Sequence, residues 1–225
     1  MLITLVIIGV VAALTIPNLM QKYTEQTTVK KVQKFYSTLS NAYNLAMKDN
    51  GTVDEWGITG NDEESAAKIA EMLFKPYFKI AKDCGNTNKG GCLSENAYKR
   101  LDNTSGVAYA ILSSAYKFTL EDGAAIFFGA NIATEPYIGI TYDVNGPAEP
   151  NQFGKDTFEF VIRGQYVFPS GLPYGNYHWR SFGNGGCVGT NPSGFGCAAW
   201  VIYKGNMDYL HCDGLKWTSK SCKEK

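Results

Sequence analysis

The sequence lacks an excess of charge of either sign. Its 225 residues include 21 Lys and Arg against 21 Asp and Glu, without long runs of like charge. A protein that binds nucleic acid electrostatically concentrates basic residues on one surface. The one small basic face, at Lys30, Lys31 and Lys34, is expected to be solvated or to meet lipid headgroups. We therefore expect no nucleic-acid partner.

Motifs of the common enzyme classes are also missing. The chain has no G-x-S-x-G, no H-E-x-x-H, no P-loop and no dinucleotide fingerprint. Its two histidines, His178 and His211, lie in no metal or nucleophile pattern. We expect that the protein is not an enzyme and requires no cofactor. An anchored hydrolase built from carboxylates that meet only in the fold is the remaining enzymatic alternative.

Short C-x-x-C zinc knuckles are absent, although the chain has six cysteines. The cysteines form close pairs separated by eight, ten and ten residues, in loops rich in Gly, Asn and Ser. This spacing favours local disulfides in an oxidising compartment over a zinc site or free cytoplasmic thiols. Spacing alone leaves other connectivities open. The favoured pairs are Cys84 with Cys92, Cys187 with Cys197, and Cys212 with Cys222.

One long apolar run lies at the N-terminus. Residues 1–21 carry no charge, and the first charged residue is Lys22. A secretory signal has a basic stretch before its apolar part, and none precedes Leu2. The run is interpreted as a membrane or filament-core helix. Its roughly 17 apolar residues are fewer than the ~20 that a bilayer needs, so we expect further residues upstream.

Residues 22–50 are predicted to continue the same helix in amphipathic form. Apolar residues recur at gaps of three and four, which is typical of a helix with one buried face. This helix seam consists of Val29, Val32, Tyr36, Leu39 and Tyr43. Asn50 and Gly51 should end the helix. Gly9 and Pro17 should form a hinge, with a harmless kink as the alternative.

Residues 51–225 are predicted to form one globular head, which makes the fold α+β. A helix over 61–82 has Asn61 as its cap, and Pro76 should end or bend it. Segments of alternating apolar residues follow and indicate an antiparallel sheet. These segments are "YKFTL", "AAIFF", "YIGITY" and "FEFVIR". Such a sheet can cover the helix seam. Residues 164–225 should be loop-rich and held by disulfides, with one strand in "CAAWVIYKGN".

The apolar start and its amphipathic continuation resemble the type IV pilin and type II secretion pseudopilin superfamily. The likeness lies in "LITLVIIGVVAALTIPNL" followed by "KVQKFYSTLSNAYNLA". Downstream, "LEDGAAIFF" and "YDVNGPAEPNQFGKDTFEF" resemble pseudopilin-like heads. The basic leader of that superfamily, which ends in Gly before Phe, Thr, Leu, any residue and Glu, is not present before Leu2. Leader cleavage and N-methylation, which the resemblance implies, therefore depend on residues further upstream.

The resemblance implies a pilin-like subunit in the bacterial inner membrane with a periplasmic head. It would assemble through its apolar helix, with itself or other pilin-like subunits, into a type IV pilus or a type II secretion pseudopilus. The alternative is a membrane-tethered periplasmic module that binds glycan or peptide and does not polymerise. An aromatic-dense stretch would serve that module if exposed, and would fill a small core if buried. It comprises Tyr166, Phe168, Tyr174, Tyr177, Trp179 and Phe182.

Four oxygen-bearing side chains lie in one loop between two predicted strands. They are Asp143, Asn145, Asn151 and Asp156. Calcium takes six to eight oxygen ligands and tolerates irregular loops, and the resemblance adds that some pseudopilin heads hold calcium. The spacing is not that of an EF-hand, and Asn-Gly beside Asp is ordinary turn chemistry. A plain turn is favoured, with a calcium site as the alternative.

Overall fold

The first helix is long and unbroken. The computed structural model describes residues 2–131, 137–173 and 181–222, with side chains from Ile7 onward. Helix α1 spans Leu2–Asn50 and continues through Pro17. Gly51 then takes a left-handed φ of 77° and donates its N–H to the carbonyl of Met47 at 2.9 Å. This bond satisfies a carbonyl that the helix end would leave unpaired, so the predicted end is confirmed.

The second helical region is shorter than the sequence predicts. Helix α2 spans Glu63–Ile69 and passes through a wider turn, Ala70–Phe74, into α3, Lys75–Tyr77. Its cap is Asp62 rather than Asn61, because the Asp62 carboxylate accepts the N–H of Ser65 at 2.8 Å. The helix ends just beyond Pro76, where Phe78 is extended. The prediction that Pro76 ends or bends this helix is confirmed, whereas the helical range as far as residue 82 is wrong, because a strand begins at Ile80.

Six strands form one antiparallel sheet in chain order, so each strand pairs with the next. They are β1, Ile80–Gly85; β2, Tyr116–Leu120; β3, Ala125–Asn131; β4, Tyr137–Asp143; β5, Thr157–Arg163; and β6, Tyr166–Pro169. Strands β2 to β5 confirm the alternating apolar segments. The sequence did not indicate the edge strands β1 and β6.

Helix α1 packs its buried face on the sheet. The ring of Phe35 stacks on Tyr142 of β4 with centroids 4.1 Å apart and meets Phe160 of β5 at 5.3 Å. The seam residues Val29, Val32, Leu39 and Tyr43 are buried, and Tyr36 is half-buried. Hydrogen bonds fix the two tyrosines: Tyr36 Oη donates to the carbonyl of Val167 at 3.2 Å, and Tyr43 Oη to that of Gly164.

A smaller cluster covers the other face of the sheet. Residues between β1 and β2 fold over β3 and bury Tyr98, whose ring lies 5.4 Å from Phe127 and 6.2 Å from Phe153. The cluster also contains Leu93, Ala110 and Ala125. It sits beside the loop between β4 and β5, and so helps to position that loop.

The C-terminal region contains a helix where a strand was expected. Helix α4 spans Ala198–Lys204 and ends at Gly205, which has a left-handed φ of 70°. Four successive residues, 198–201, are buried, whereas a one-sided strand buries alternate residues. The strand prediction is therefore wrong. The three disulfides confirm the favoured pairing: Cys84 with Cys92, Cys187 with Cys197, and Cys212 with Cys222.

Candidate functional site

The N-terminal half of α1 exposes apolar side chains on all of its sides. We call residues 7–24 the exposed segment; every side chain in it is exposed except Ala12, which is half-buried. Nine large apolar or aromatic residues are each 54–69% exposed: Ile7, Ile8, Val10, Val11, Leu14, Ile16, Leu19, Met20 and Tyr23. Contiguous apolar surface of this kind marks an interaction site. Because these positions surround the helix, one neighbour cannot cover them all.

The expectation of a membrane-spanning helix over residues 1–21 is not met. Within the described part of the chain, no helix is both long enough and apolar enough to cross a bilayer. Polar side chains at Thr15, Asn18 and Gln21 interrupt the apolar pattern of the exposed segment. Side chains before Ile7 lie outside the described residues.

The proposed hinge lies within regular helix. Gly9 has open space where a side chain would be, and Pro17 lies inside α1. Proline has no N–H, so the carbonyl four residues earlier, at Ala13, loses its helical donor. Two neighbouring carbonyls gain side-chain bonds, from Thr15 Oγ1 to Val11 at 2.8 Å and from Asn18 Nδ2 to Leu14 at 3.3 Å. Bending at this hinge stays a prediction.

The side chains of α1 change from exposed to buried over residues 25–31, which we call the root of α1. Thr28 is the first buried side chain of the helix among those described. Two polar contacts hold the root to the head. His211 Nε2 lies 2.8 and 2.9 Å from the two carboxylate oxygens of Glu25. On the other side, Lys31 Nζ donates to the carbonyl of Val144 at 2.8 Å.

The loop between β4 and β5, residues 143–156, begins and ends on a buried carboxylate. Asp143 is 0% exposed, and its Oδ2 accepts the hydroxyl of Tyr98 at 2.8 Å. Burial raises the pKa of Asp143 to about 8, and the nearby charge of Asp156 adds to this rise. An ionised Asp143 therefore needs more compensation than its hydrogen bonds supply.

Asp156 closes the loop. Its carboxylate accepts the N–H groups of Asn151 at 2.9 Å and Gln152 at 2.7 Å, and the hydroxyl of Thr157 at 3.2 Å. Burial raises the pKa of Asp156 as well, although these donors oppose the rise. Two buried carboxylates that interact electrostatically are costly unless a cation or proton compensates them.

The two asparagines of the loop carry buried oxygens without a donor. Their NH₂ groups are used: Asn145 Nδ2 donates to the carbonyls of Ala148 and Glu149 at 3.0 Å, and Asn151 Nδ2 to that of Pro147 at 3.4 Å. Their Oδ1 atoms are buried and have no hydrogen-bond partner among the described residues. Such orphaned acceptors call for an explanation.

The loop therefore supplies two carboxylates and two unsatisfied amide oxygens from Asp143, Asn145, Asn151 and Asp156. Hard oxygen ligands of this kind suit calcium, and backbone carbonyls can complete its shell. The described residues contain no cluster of three or more His, Cys, Asp or Glu side chains that could hold a metal. A cation at this place would therefore depend on the asparagines as well as on the carboxylates.

The aromatic-dense stretch is divided between surface and core. Tyr166 and Phe168 on β6 are 64% and 38% exposed, with ring centroids 5.9 Å apart. Phe182 is buried and stacks on Trp200 of α4 at 4.6 Å. Tyr174, Tyr177, Trp179 and His178 lie outside the described residues.

The sequence did not indicate the roles of four residues that build these sites, namely Lys31, Glu25, His211 and Tyr98. Lys31 was expected on a solvated or headgroup-facing surface, yet it bonds to Val144. Glu25 and His211 are 186 positions apart in sequence, and Tyr98 and Asp143 are 45 apart. No local motif marks partners at such separations.

Comparison with known proteins gives one match. The family model described as a family of unknown function (DUF6613) matches residues 18–167. That range includes the root of α1, strands β1 to β5, the start of β6 and the loop 143–156. Neither a curated protein nor a solved structure matches this chain.

Proposed function

The chain belongs to this family of unknown function (DUF6613), and from its own residues we propose that it is a pilin-like structural subunit. We propose that it assembles through the exposed segment, with itself or with other pilin-like subunits, into a type IV pilus or type II secretion pseudopilus. The observation that carries this proposal is the ring of large apolar side chains around residues 7–24, each more than half exposed.

The energetic reason is the hydrophobic effect. Fully burying one large apolar side chain contributes about 1.5 to 3 kcal/mol. Each of the nine residues is about half exposed, so their complete burial would contribute roughly 10 kcal/mol per subunit. This matches the order of magnitude of the cost of association, about 4 to 15 kcal/mol. A bundle of like helices buries all sides of the segment at once, which a single groove does not.

We place the subunit in the bacterial inner membrane before assembly, with its head in the periplasm. Three disulfides suit that oxidising compartment. The assembly proposal rests on the exposed apolar side chains of residues 7–24. In the rival function, a tethered module that binds glycan or peptide, Tyr166 and Phe168 would form the binding surface. Shearing cells separates the two, because a tether stays with the membranes.

The assembly proposal predicts that Leu14→Gln prevents filament formation. Leu14 is 69% exposed in the exposed segment, and Gln would bring an amide into the apolar interior of the bundle. Leu45→Gln is the matched control, because Leu45 is 50% exposed on the same helix beside the head. The full chain is transferred out of detergent, and filaments are pelleted and imaged by electron microscopy. Equal assembly of Leu14→Gln and wild type would refute the proposal.

We also propose that the loop 143–156 binds Ca²⁺. The specific support is the pair of buried, unpartnered oxygens on Asn145 and Asn151, beside the buried carboxylates of Asp143 and Asp156. The cation would neutralise the carboxylates and accept the free lone pairs of the amides. Its role would be structural, because it would hold together two strand ends and the loop between them.

Calorimetric titration of the full chain in detergent with Ca²⁺ tests this second proposal. Saturation at 100 times the Kd should stabilise the fold by about 2.7 kcal/mol, which raises the melting temperature by roughly 5 to 10 °C. Asp156→Asn should weaken Ca²⁺ binding by about tenfold or more. Asp213→Asn, at an exposed carboxylate, is the control. If the wild type shows neither heat nor stabilisation, the loop is a plain turn.

A further inference from the structure

The root of α1 and the loop 143–156 are linked through one buried residue. Lys31 and Val144 are 113 positions apart, and the Lys31 ammonium donates to the Val144 carbonyl at 2.8 Å. Among the described residues, this is the only hydrogen bond that joins α1 to the loop. Val144 is 5% exposed, so the bond lies at the edge of the core. A charged donor in partly buried surroundings makes a stronger bond than a neutral one.

Val144 is held from its other side by the end of the same loop. Its N–H donates to the backbone carbonyl of Asp156 at 2.9 Å. Val144 also directly follows Asp143 in the chain. Val144 therefore joins the helix to the backbone of both residues that carry the carboxylates of the loop, Asp143 and Asp156, so a displacement of that backbone would also move the acceptor that Lys31 uses.

The space beside this link is open. A cleft of about 550 Å³ separates the root from the loop, and its lining includes Thr28, Lys31, Asn145, Pro150 and Asp156. Val144 belongs to the same core cluster as Val29 and Val32 of α1, so apolar packing also holds this end of the loop. The Lys31 bond adds the polar contact that joins the helix to the loop beside the cleft.

We infer that Lys31 is a positioning residue that couples cation binding in the loop 143–156 to the docking of the root of α1. This inference rests on the proposed calcium site. With the cation bound, the carboxylates and amide oxygens are compensated and Val144 stays in place for Lys31. Without it, the buried carboxyl groups and amide oxygens lose that compensation, which loosens the loop and the bond. By linkage, docking of the helix raises cation affinity by the same factor as the cation favours docking.

The test uses the full chain in detergent, titrated with Ca²⁺ and, for comparison, with Mg²⁺. Lys31→Met keeps the aliphatic stem of the side chain and removes its donor. Lys34→Met is the matched control, because Lys34 is exposed one turn away and its side chain makes no hydrogen bond or ion pair among the described residues. We expect Lys31→Met to weaken Ca²⁺ binding by about fivefold or more, Lys34→Met to leave it unchanged, and Lys31→Arg to restore most of it.

Amide hydrogen exchange supplies a second readout that a merely structural role would not move. Saturating Ca²⁺ should slow exchange in the loop and also at residues 28–35 of α1 in the wild type. In Lys31→Met, the slowing should be confined to the loop. The comparison of wild-type exchange with and without Ca²⁺ does not need the methionine variant, so it tests the coupling even if Lys31→Met fails to fold.

The outcomes separate the coupling from the calcium site. If Ca²⁺ binds and slows exchange in the loop alone in the wild type, the coupling is refuted and the calcium site stands. If Lys31→Met binds Ca²⁺ as tightly as Lys34→Met, the coupling is equally refuted. If the wild type binds no Ca²⁺, the calcium proposal and the coupling fail together.

Discussion

Replacing Phe35 by Ala should reduce the free energy of unfolding by about 3 to 5 kcal/mol. Phe35 is 4% exposed and lies in the buried face of α1, between the helix and the sheet. Its ring stacks on Tyr142 at 4.1 Å, meets the edge of Phe160 at 5.3 Å and lies 6.1 Å from Phe78. One ring therefore lies against β4, β5 and the residue that follows α3.

The magnitude follows from two contributions. Removal of a buried phenyl ring loses its transfer free energy and leaves a cavity that the rigid sheet does not fill, at about 3 to 5 kcal/mol in total. Aromatic pairs contribute roughly 0.5 to 1.5 kcal/mol beyond burial, which places the loss towards the upper end. For a protein of this size, each kcal/mol corresponds to about 2 to 4 °C, so the melting temperature should fall by roughly 6 to 20 °C.

Thermal unfolding of the full chain in mild detergent, followed by tryptophan fluorescence, measures the loss. Leu45→Ala is the control, because Leu45 is 50% exposed on the same helix and surface changes usually remain within about 0.5 kcal/mol. A loss of less than about 1 kcal/mol for Phe35→Ala would mean that α1 does not pack on β4 and β5 as described.

Two further changes test the head. Lys117 is 0% exposed and donates to the carbonyls of Asn86, Leu112 and Ala115 at 2.6, 2.5 and 2.8 Å. Burial lowers its pKa to about 8, below the ordinary ~10.4, so the unfolded chain binds more protons between these values. The stability of wild type relative to Lys117→Met should therefore rise from pH 8 to 10 in denaturant titrations, and a fall would contradict this assignment. Gly171 has a φ of 111°, and a Cβ there would lie 1.9 Å from the carbonyl oxygen of Gly196. Gly171→Ala should cost about 2 kcal/mol or more in the same assay, whereas Gly183→Ala, which meets open space, should cost less than half as much.

Elements with a strong local pattern were predictable from the sequence. Strands β2 to β5 carry apolar residues at alternate positions, and the end of α1 is marked by Asn50 and Gly51. Strand β1 was missed because it lies at the sheet edge and exposes Lys82 and Asp83. Strand β6, with Tyr166 and Phe168 turned to solvent, has an equally weak pattern.

The error at α4 has a different cause. Residues Ala199, Val201 and Tyr203 have the spacing of a strand, but the segment has only seven residues. A pattern this short fits both periods. The surroundings of the segment select the helix. Helix α1 and strand β6 pack on neighbouring sides of it and bury adjacent residues, which fits a helix rather than a one-sided strand.

In the candidate sites too, some features were predictable from the sequence and others appear only in the folded chain. The four oxygen-bearing side chains of the loop 143–156 lie within fourteen residues, so the sequence alone identified them as candidate ligands. The contacts that give these residues a physical role were not, because Tyr98 reaches Asp143 from 45 positions away and Lys31 reaches Val144 from 113. Burial is a property of the folded chain, so the unpartnered oxygens of Asn145 and Asn151 have no signature in sequence.

The root of α1 links the two proposed roles, which are assembly through the exposed segment and Ca²⁺ binding in the loop 143–156. Helix α1 is continuous over its 49 residues. Where it does not bend at the proposed hinge, the direction of the exposed segment therefore follows from how the root is held against the head. The root is held by Lys31 on the loop side and by Glu25 on the side of the Cys212–Cys222 loop. In a helical assembly, the angle between head and helix sets the spacing of neighbouring heads around the bundle. A small change at the root is enlarged along the roughly 25 Å from Thr24 to Ile7. Residues that never touch another subunit can therefore determine whether the heads fit side by side.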